Sequence, residues 1–217
     1  MNLKKVFTLG IFYVIATYSF CQDLAILKYE GGGDWYANPT SFPNLITFCN
    51  DNINTKINTK PKVVEADSFD IFQFPMLHMT GHGNVFFSDA AVENLKNYLL
   101  SGGFLHIDDN YGMAKYVTRE IKKIFPDREL IELSKKHTIF NTPYKFPNGL
   151  PKIHEHDGKR PQALAIFDEN NRIILLFTFE SDLGDGWEDQ EVHNNPLNVR
   201  TKALKMGANI IKYAFES

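Results

Sequence analysis

The sequence predicts an α/β fold, a three-layer sandwich in which helices cover both faces of a mostly parallel sheet. Short apolar runs of strand length alternate along the chain with segments of helical periodicity. Glycines and polar residues follow several of these runs, as they do where strands of an open sheet end. The 217 residues, 43% hydrophobic and 23% charged, suit one domain with a full core.

The first part of the chain alternates between predicted strands and helices. Strands are expected within residues 23–29, 63–65 and 76–80. Between the first two we expect a helix that Thr40 or Ser41 caps and that carries Pro43 in its first turn. Ser88 should cap another helix, which runs through Leu100.

Residues 101–112 form the stretch around which the predicted sheet is organised. Their sequence is Ser-Gly-Gly-Phe-Leu-His-Ile-Asp-Asp-Asn-Tyr-Gly. The glycine pair can end a helix, and residues 104–107 have the length of a buried strand. Asp108, Asp109 and Asn110 then fall at the carboxyl end of that strand, where ligand sites of open α/β sheets lie.

The two adjacent carboxylates are the candidate catalytic residues. Asp108 and Asp109 can act as acid and base if their surroundings separate their pKa values. The alternative is that one caps a helix and the other accepts loop hydrogen bonds. Asn110 is a candidate ligand contact.

After this stretch, residues 113–125 have the periodicity of an amphipathic helix, which Pro126 ends. Further strands are expected at residues 130–133, 163–168 and 172–179, the last two as a hairpin, before a final helix over 199–215.

Two glycine-rich loops follow predicted strands and are expected to line a ligand cleft. Gly31 to Gly33 precede Asp34 and Trp35, and a Gly-His-Gly turn carries His82 and Asn84. The triple-glycine loop does not have the spacing of a phosphate loop or a dinucleotide fingerprint. The alternative is that they are only tight turns.

His154 and His156 are the candidate metal ligands. Two residues that lie two apart on an extended strand project to the same side, and such a pair suits a divalent transition metal. The alternative is ordinary hydrogen bonding.

Residues 180–195 are predicted to form a solvated acidic loop, with calcium binding as the alternative. Within it, Asp185 and Trp187 are candidate ligand contacts, because a tryptophan among acidic and glycine residues often covers a pocket.

Charge and the N-terminus indicate where the protein acts. The net charge of −3 without a long basic run argues against nucleic acid as the main partner. Lys4 and Lys5, an apolar run over 6–16 and a cleavage site before Gln22 predict a signal peptide over residues 1–21 and one domain over 22–217. The mature protein is then exported to the periplasm or cell envelope, and an uncleaved signal would be its one route to membrane association. Cys49 would be its only cysteine, and a buried one.

Four blocks of sequence resemble the bacterial DUF4159 family, a domain of unknown function. These blocks are residues 31–36, 80–84, 102–112 and 152–158. The resemblance implies a three-layer fold similar to class I glutamine amidotransferase-like and flavodoxin-like domains, and it implies no established activity. Asp108 and Asp109 occupy the region of the amidotransferase cysteine, which argues against glutaminase activity.

Three functional hypotheses follow. The first is an exported domain that binds a small polar or carbohydrate-like ligand in a cleft at the strand carboxyl ends. The second is a metal-dependent hydrolase with His154 and His156 as ligands and a carboxylate as base. The third is a non-catalytic component of a cell-envelope complex, with an envelope protein as its partner.

Overall fold

The computed structural model describes residues 22–156 and 158–216. The predicted signal peptide lies outside these residues. The strands are β1 (Ala25–Lys28), β2 (Lys62–Glu65), β3 (Met76–Gly81), β4 (Phe104–Asp109), β5 (Ile131–Glu132), β6 (Gln162–Phe167) and β7 (Ile173–Phe179). The helices are α1 (Ser41–Asn52), α2 (Asp89–Leu100), α3 (Ala114–Ile124), α4 (Leu183–Trp187), α5 (Gln190–His193) and α6 (Leu197–Glu216).

The seven strands form one sheet in the order β2-β1-β3-β4-β7-β6-β5. Neighbouring strands are parallel from β2 to β7, and β6 alone runs the other way, between β7 and β5. The predicted mostly parallel sheet is therefore confirmed, and β1, β3 and β4 lie parallel within it. The predicted hairpin, formed by β6 and β7, is also confirmed.

Helices cover both faces of the sheet, which confirms the three-layer α/β prediction. One apolar cluster lies between the sheet and helices α1, α4 and α6, and a second lies between the opposite face and helices α2 and α3. Every residue of β3 and β4 is buried. Strands covered on both faces carry near-continuous apolar runs, which is why these two were recognisable by length rather than by alternation.

Of the two predicted helix caps, one is confirmed and the other is wrong. Ser88 caps α2 as predicted, since its hydroxyl accepts a hydrogen bond from the Ala91 N–H at 3.2 Å. The predicted cap of α1 is wrong. The hydroxyl of Thr40 donates instead to Glu188 at 3.1 Å, so it ties the start of α1 to a distant segment. Cys49 is fully buried, and burial raises the pKa of its thiol to about 12, as expected of a core residue.

Within residues 22–156 and 158–216, none of the helices combines the length and apolar character needed to cross a bilayer.

Two histidines lie side by side inside the sheet. His78 of β3 and His106 of β4 are paired in register, and their Nδ1 atoms are 3.1 Å apart. Their rings pack against Phe42 and Trp187. Burial lowers the pKa of His78 to about 3 and that of His106 well below its usual value, so both imidazoles are neutral in the folded protein.

This pair predicts a loss of stability in mild acid. Below a pKa of about 6.5 the unfolded chain protonates these histidines, while the folded chain cannot until the pH approaches 3. The loss of stability caused by the two histidines is therefore absent above about pH 6.5 and grows as the pH falls. From pH 7.5 to pH 5, each histidine should lower the free energy of unfolding by about 2 kcal/mol.

His78→Phe keeps a ring beside Phe42 and removes one titrating group. Urea denaturation at both pH values should show a drop smaller by about 2 kcal/mol than that of the parent. His82→Gln, at an exposed histidine, is the matched control and should follow the parent. Parallel pH profiles for His78→Phe and the parent would contradict the prediction.

Candidate functional site

The segments that follow β1, β3, β4 and β7 meet at one edge of the sheet. The side-chain amide of Asn38, in the loop after β1, donates to Asn110 Oδ1 at 3.3 Å and to Asp185 Oδ1 at 2.9 Å. The hydroxyl of Thr80 in β3 donates to the same Asn110 oxygen at 3.1 Å. Parallel strands bring their carboxyl ends together, so residues distant in sequence share this edge.

Asp108 is fully buried at the end of β4 and joins three elements. Its Oδ1 accepts from the Thr178 hydroxyl of β7 at 2.5 Å, and its Oδ2 accepts from the Gly184 N–H of α4 at 2.7 Å. Burial, with the charges of Asp185 and Asp109, raises its pKa to about 7, although the hydrogen bonds from Thr178 and Gly184 act in the opposite direction. Both carboxylate oxygens are thus engaged within the protein.

Asp109 holds the turn between β4 and α3. Its Oδ1 accepts from the backbone N–H groups of Tyr111 and Met113, each at 3.1 Å. Burial raises the pKa of this carboxyl. These contacts are those of a loop acceptor just before α3, and the catalytic role assigned to Asp108 and Asp109 stays a prediction.

The first part of the segment after β7 is buried, so the prediction of a solvated acidic loop is wrong for residues 180–188. The segment folds into the short helices α4 and α5, and every residue from 181 to 188 is buried. Asp182 adopts a left-handed conformation, with φ 54°. Burial, with the charges of Asp108 and Asp185, raises the pKa of Asp182 to about 9.

Three histidines lie against two of these carboxylates. His154 Nδ1 lies 2.7 Å from Asp185 Oδ2, and His156 Nε2 is hydrogen-bonded to Asp182 Oδ2. His193 Nε2 lies 3.5 Å from Asp185 Oδ1. His154 and His156 occupy a loop rather than the strand we expected, yet their ring centres are only 5.6 Å apart.

We call His154, His156, His193, Asp182 and Asp185 the histidine–carboxylate cluster. Within it, two sets of three residues have ligand atoms that all lie within 4.8 Å of one another. The sets are His154, Asp185 and His193, and His154, His156 and Asp182. A tetrahedral ion with bonds of about 2.0–2.1 Å holds its ligand atoms roughly 3.4 Å apart. The cluster therefore needs only small side-chain adjustments to hold such an ion.

Several buried polar atoms at this edge have no hydrogen-bond partner within the described residues. They are Asp182 Oδ1, His193 Nε2 and Asn110 Nδ2; a fourth, His78 Nε2, lies in the adjoining sheet. The orientation of the Asn110 amide follows from its neighbours. Asn38 must point its Nδ2 at the Asp185 carboxylate, so the Asn110 atom that faces the same Nδ2 is the oxygen.

The remaining predicted site residues lie around this edge. His82 Nδ1 is 2.9 Å from Asp34 Oδ2, and the His82 charge acts on Asp109. Trp35 lines a cavity of about 180 Å³ that also borders Asn38, His78 and Thr80.

Two predicted site residues hold the structure together. The Asn84 amide donates to the Gly31 carbonyl at 2.9 Å and accepts from Arg119 at 3.1 Å, so it fixes the loop after β1. Trp187 is fully buried and its Nε1–H donates to the Ala203 carbonyl at 2.8 Å. Its ring belongs to the core beneath the site.

Sequence reasoning missed His193 as a member of the cluster. The residue follows a run of carboxylates, Asp182, Asp185, Glu188 and Asp189, and that proximity in sequence was the available signal. A search restricted to two-residue spacing on strands does not find it.

A family comparison covers nearly all of this structure. Residues 23–215 match the model of a domain of unknown function, DUF4159. The chain belongs to the DUF4159 family. No curated protein matches it. The likeness of this DUF4159 domain to glutamine amidotransferases stays a prediction.

The contacts of Asp109 generate a test of its role in this DUF4159 domain. Asp109→Ala leaves two backbone N–H groups without their acceptor and should lower the free energy of unfolding by about 1–3 kcal/mol. Asp109→Asn keeps an oxygen acceptor and should lose clearly less. Chemical denaturation of both variants measures the difference, and equal losses would contradict the role of Asp109 as the hydrogen-bond acceptor of this turn.

Proposed function

We propose that this DUF4159 domain binds a divalent transition metal in the histidine–carboxylate cluster and, through the metal, a small polar or carbohydrate-like ligand. The observation that carries the proposal is the group of buried atoms without a hydrogen-bond partner at one edge, Asp182 Oδ1, His193 Nε2 and Asn110 Nδ2. Buried polar atoms are costly without partners, and a metal with its ligand would supply them.

The chemistry of the cluster favours a borderline metal such as zinc over calcium. Imidazole nitrogens suit transition metals, whereas calcium takes six or more oxygen ligands. Each three-residue set contains two histidines and one aspartate. Three protein ligands leave one position of a four-coordinate ion open, which is where a polar ligand or water would bind.

Electrostatics support a cation at this place. In addition to burial, the charge of Asp185 raises the pKa of Asp108, and the charges of Asp108 and Asp185 raise the pKa of Asp182. Several buried carboxylates near one another are unfavourable unless protons or cations offset their charge. The histidines of the cluster can donate hydrogen bonds to these carboxylates. A divalent ion in the same space would offset more of their negative charge.

The ligand would lie beside the open metal position. Asn110 Nδ2 is a buried donor without a partner there, and it suits an oxygen of a hydroxyl or carboxylate group. The cavity beside Asn38, Thr80 and Trp35, of about 180 Å³, would take a small group.

A second candidate function is hydrolysis by a metal-activated water. It is favoured by Glu188, whose Oε2 lies 3.5 Å from His193 Nε2 outside both three-residue sets. A carboxylate near an open metal position can accept a proton from bound water, whose pKa the metal lowers. The Glu188 carboxylate would serve as the base in this reaction.

We also propose that the domain works outside the cytoplasm, in the periplasm or cell envelope, on a small ligand or with an envelope protein. The support is the composition of residues 1–21 and the single cysteine that would remain after cleavage.

Metal analysis tests the main proposal. Protein purified without a histidine tag should contain close to one equivalent of a transition metal by elemental analysis, or take it up in titrations with Zn²⁺. His154→Ala with His156→Ala should abolish the bound metal and leave the fold largely intact. His82→Ala, which removes the histidine paired with Asp34, is the matched control and should keep the metal.

Single variants identify the ligand set. His156→Ala should weaken Zn²⁺ binding strongly only if His156 and Asp182 are ligands, and His193→Ala only if Asp185 and His193 are. His154 belongs to both sets, so His154→Ala should weaken binding in either case. A parent that holds no metal and gives no titration signal would refute the proposal, and a non-catalytic envelope role would then be favoured.

The export proposal has its own test. Protein isolated from its native envelope should begin near Gln22, because the basic and apolar segments before it fit a cleaved signal. N-terminal sequencing reads this directly. An intact Met1 on a cytoplasmic species would refute export.

A further inference from the structure

An open groove of about 1060 Å³ lies between residues 144–152 and one face of α6. The helix contributes Leu197, Asn198, Thr201, Lys202 and Lys205, spaced as residues on one side of a helix are. From the first to the last of these the helix rises about 12 Å. The groove is therefore elongated along the first half of α6.

The walls of the groove are held by buried polar groups. Asn209 is fully buried in α6, and its amide accepts from the Tyr144 N–H at 2.9 Å and donates to the Tyr144 carbonyl at 2.7 Å. At the other end, the Ser181 hydroxyl donates to the Pro151 carbonyl at 2.6 Å. A groove fixed at both ends loses little conformational freedom when a ligand binds.

All the charged residues that line the groove are basic. Its lining contains four lysines, Lys145, Lys152, Lys202 and Lys205, and no acidic residue, in a chain of net charge −3. Lys152 is paired with Glu180 at 2.9 Å. Lys145, Lys202 and Lys205 make no ion pair within residues 22–156 and 158–216. Lys205 Nζ lies 5.3 Å from the centre of the Tyr144 ring, a cation–π contact that supplies no counter-charge. Three ammonium groups without an ion-pair partner among the described residues thus line the groove.

The other lining groups distinguish among anionic ligands. Asn148, Asn198 and Thr201 offer amides and a hydroxyl, which match sugar hydroxyl groups. Tyr144, Pro147 and Leu197 offer apolar surface. No strand of the described residues borders the groove, so it offers no edge for pairing with a peptide main chain.

From these observations we propose that the groove binds an acidic oligosaccharide, with the lysines contacting its carboxylates. The proposal stands apart from the metal proposal, because none of the cluster residues lines the groove. Lys152 borders both places, since its charge also acts on Asp182.

Calorimetric titration with short oligosaccharides tests the proposal. The probes are α-1,4-trigalacturonate, β-1,4-trimannuronate and the methyl ester of trigalacturonate, which keeps the sugar skeleton and loses the charge. At least one acidic trimer should bind, and its neutral ester should bind at least tenfold more weakly. Raising NaCl from 20 to 300 mM should weaken binding, because exposed charges are screened.

Variants that remove lysine charges then locate the binding site on the protein. Lys202→Gln with Lys205→Gln should reduce affinity for the acidic trimer at least tenfold. The matched control is Lys56→Gln with Lys60→Gln, which makes the same change in net charge at exposed positions in the loop after α1. The control should stay within twofold of the parent, and denaturation curves of both variants should match the parent.

Four results would overturn the proposal. One is binding of the ester as tight as that of its acid, and another is an equal loss in the control variant. A third is preferred binding of triglutamate or inorganic tripolyphosphate, which would identify the groove as a peptide or phosphate site. The fourth is that neither acidic trimer gives a titration signal. All four can arise whether or not the protein binds metal.

Discussion

The buried carboxylate of Asp108 is the contact on which the arrangement of the candidate site depends. It accepts from Thr178 in β7 and from the backbone of Gly184 in α4, so one side chain fixes three elements. A charge-assisted hydrogen bond contributes about 1.5–3 kcal/mol, and leaving such a carboxylate unpaired in the interior costs more. The start of α4 is therefore fixed relative to β4.

A chain of hydrogen bonds connects Asp108 to the two histidines inside the sheet. If Asp108 is ionised, Thr178 donates to it and must accept from His106 Nε2. His106 Nδ1 then accepts from His78 Nδ1, which leaves His78 Nε2 as the bare nitrogen, and that atom is the one without a partner. The tautomers of two core histidines are thus linked to the charge of a carboxylate at the site edge.

Close packing at Gly184 shows why the α4 segment has its sequence. A Cβ atom at this position would lie 2.7 Å from the Asn38 amide and 3.2 Å from Asp108 Oδ2. Only glycine lets the helix approach near enough for Asn38 to reach Asp185. The left-handed Asp182 just before it turns the chain from β7 into this position.

The strands of the sheet could be predicted from the sequence, whereas the burial of the segment after β7 could not. β3 and β4 were recognisable because apolar runs of their length carry a clear signal. The burial of Asp182 and Asp185 had no such signal. The five-residue helix α4 is too short to show periodicity, and the acidic composition of residues 180–191 is typical of solvated loops. Its burial comes from tertiary contacts to Asp108 and Asn38.

The same distinction explains the errors at single residues. Thr40 has the composition of a cap, but a carboxylate from residue 188 competes for its hydroxyl. His154 and His156 were paired correctly, although the loop that carries them is not a strand. Local propensity predicts hydrogen bonds within a few residues, whereas these partners are 26 or more residues apart in sequence.

Residues 144–156 carry both proposed binding regions without regular secondary structure. The segment is anchored by Asn209 at Tyr144 and by Ser181 at Pro151 and Ile153, through hydrogen bonds between side chains and backbone or between backbone groups. Ser181 lies two residues after the end of β7 and directly precedes Asp182. Any shift of β7 relative to β4 would therefore move the groove wall and the histidines together, so the Asp108 contact positions both regions at once.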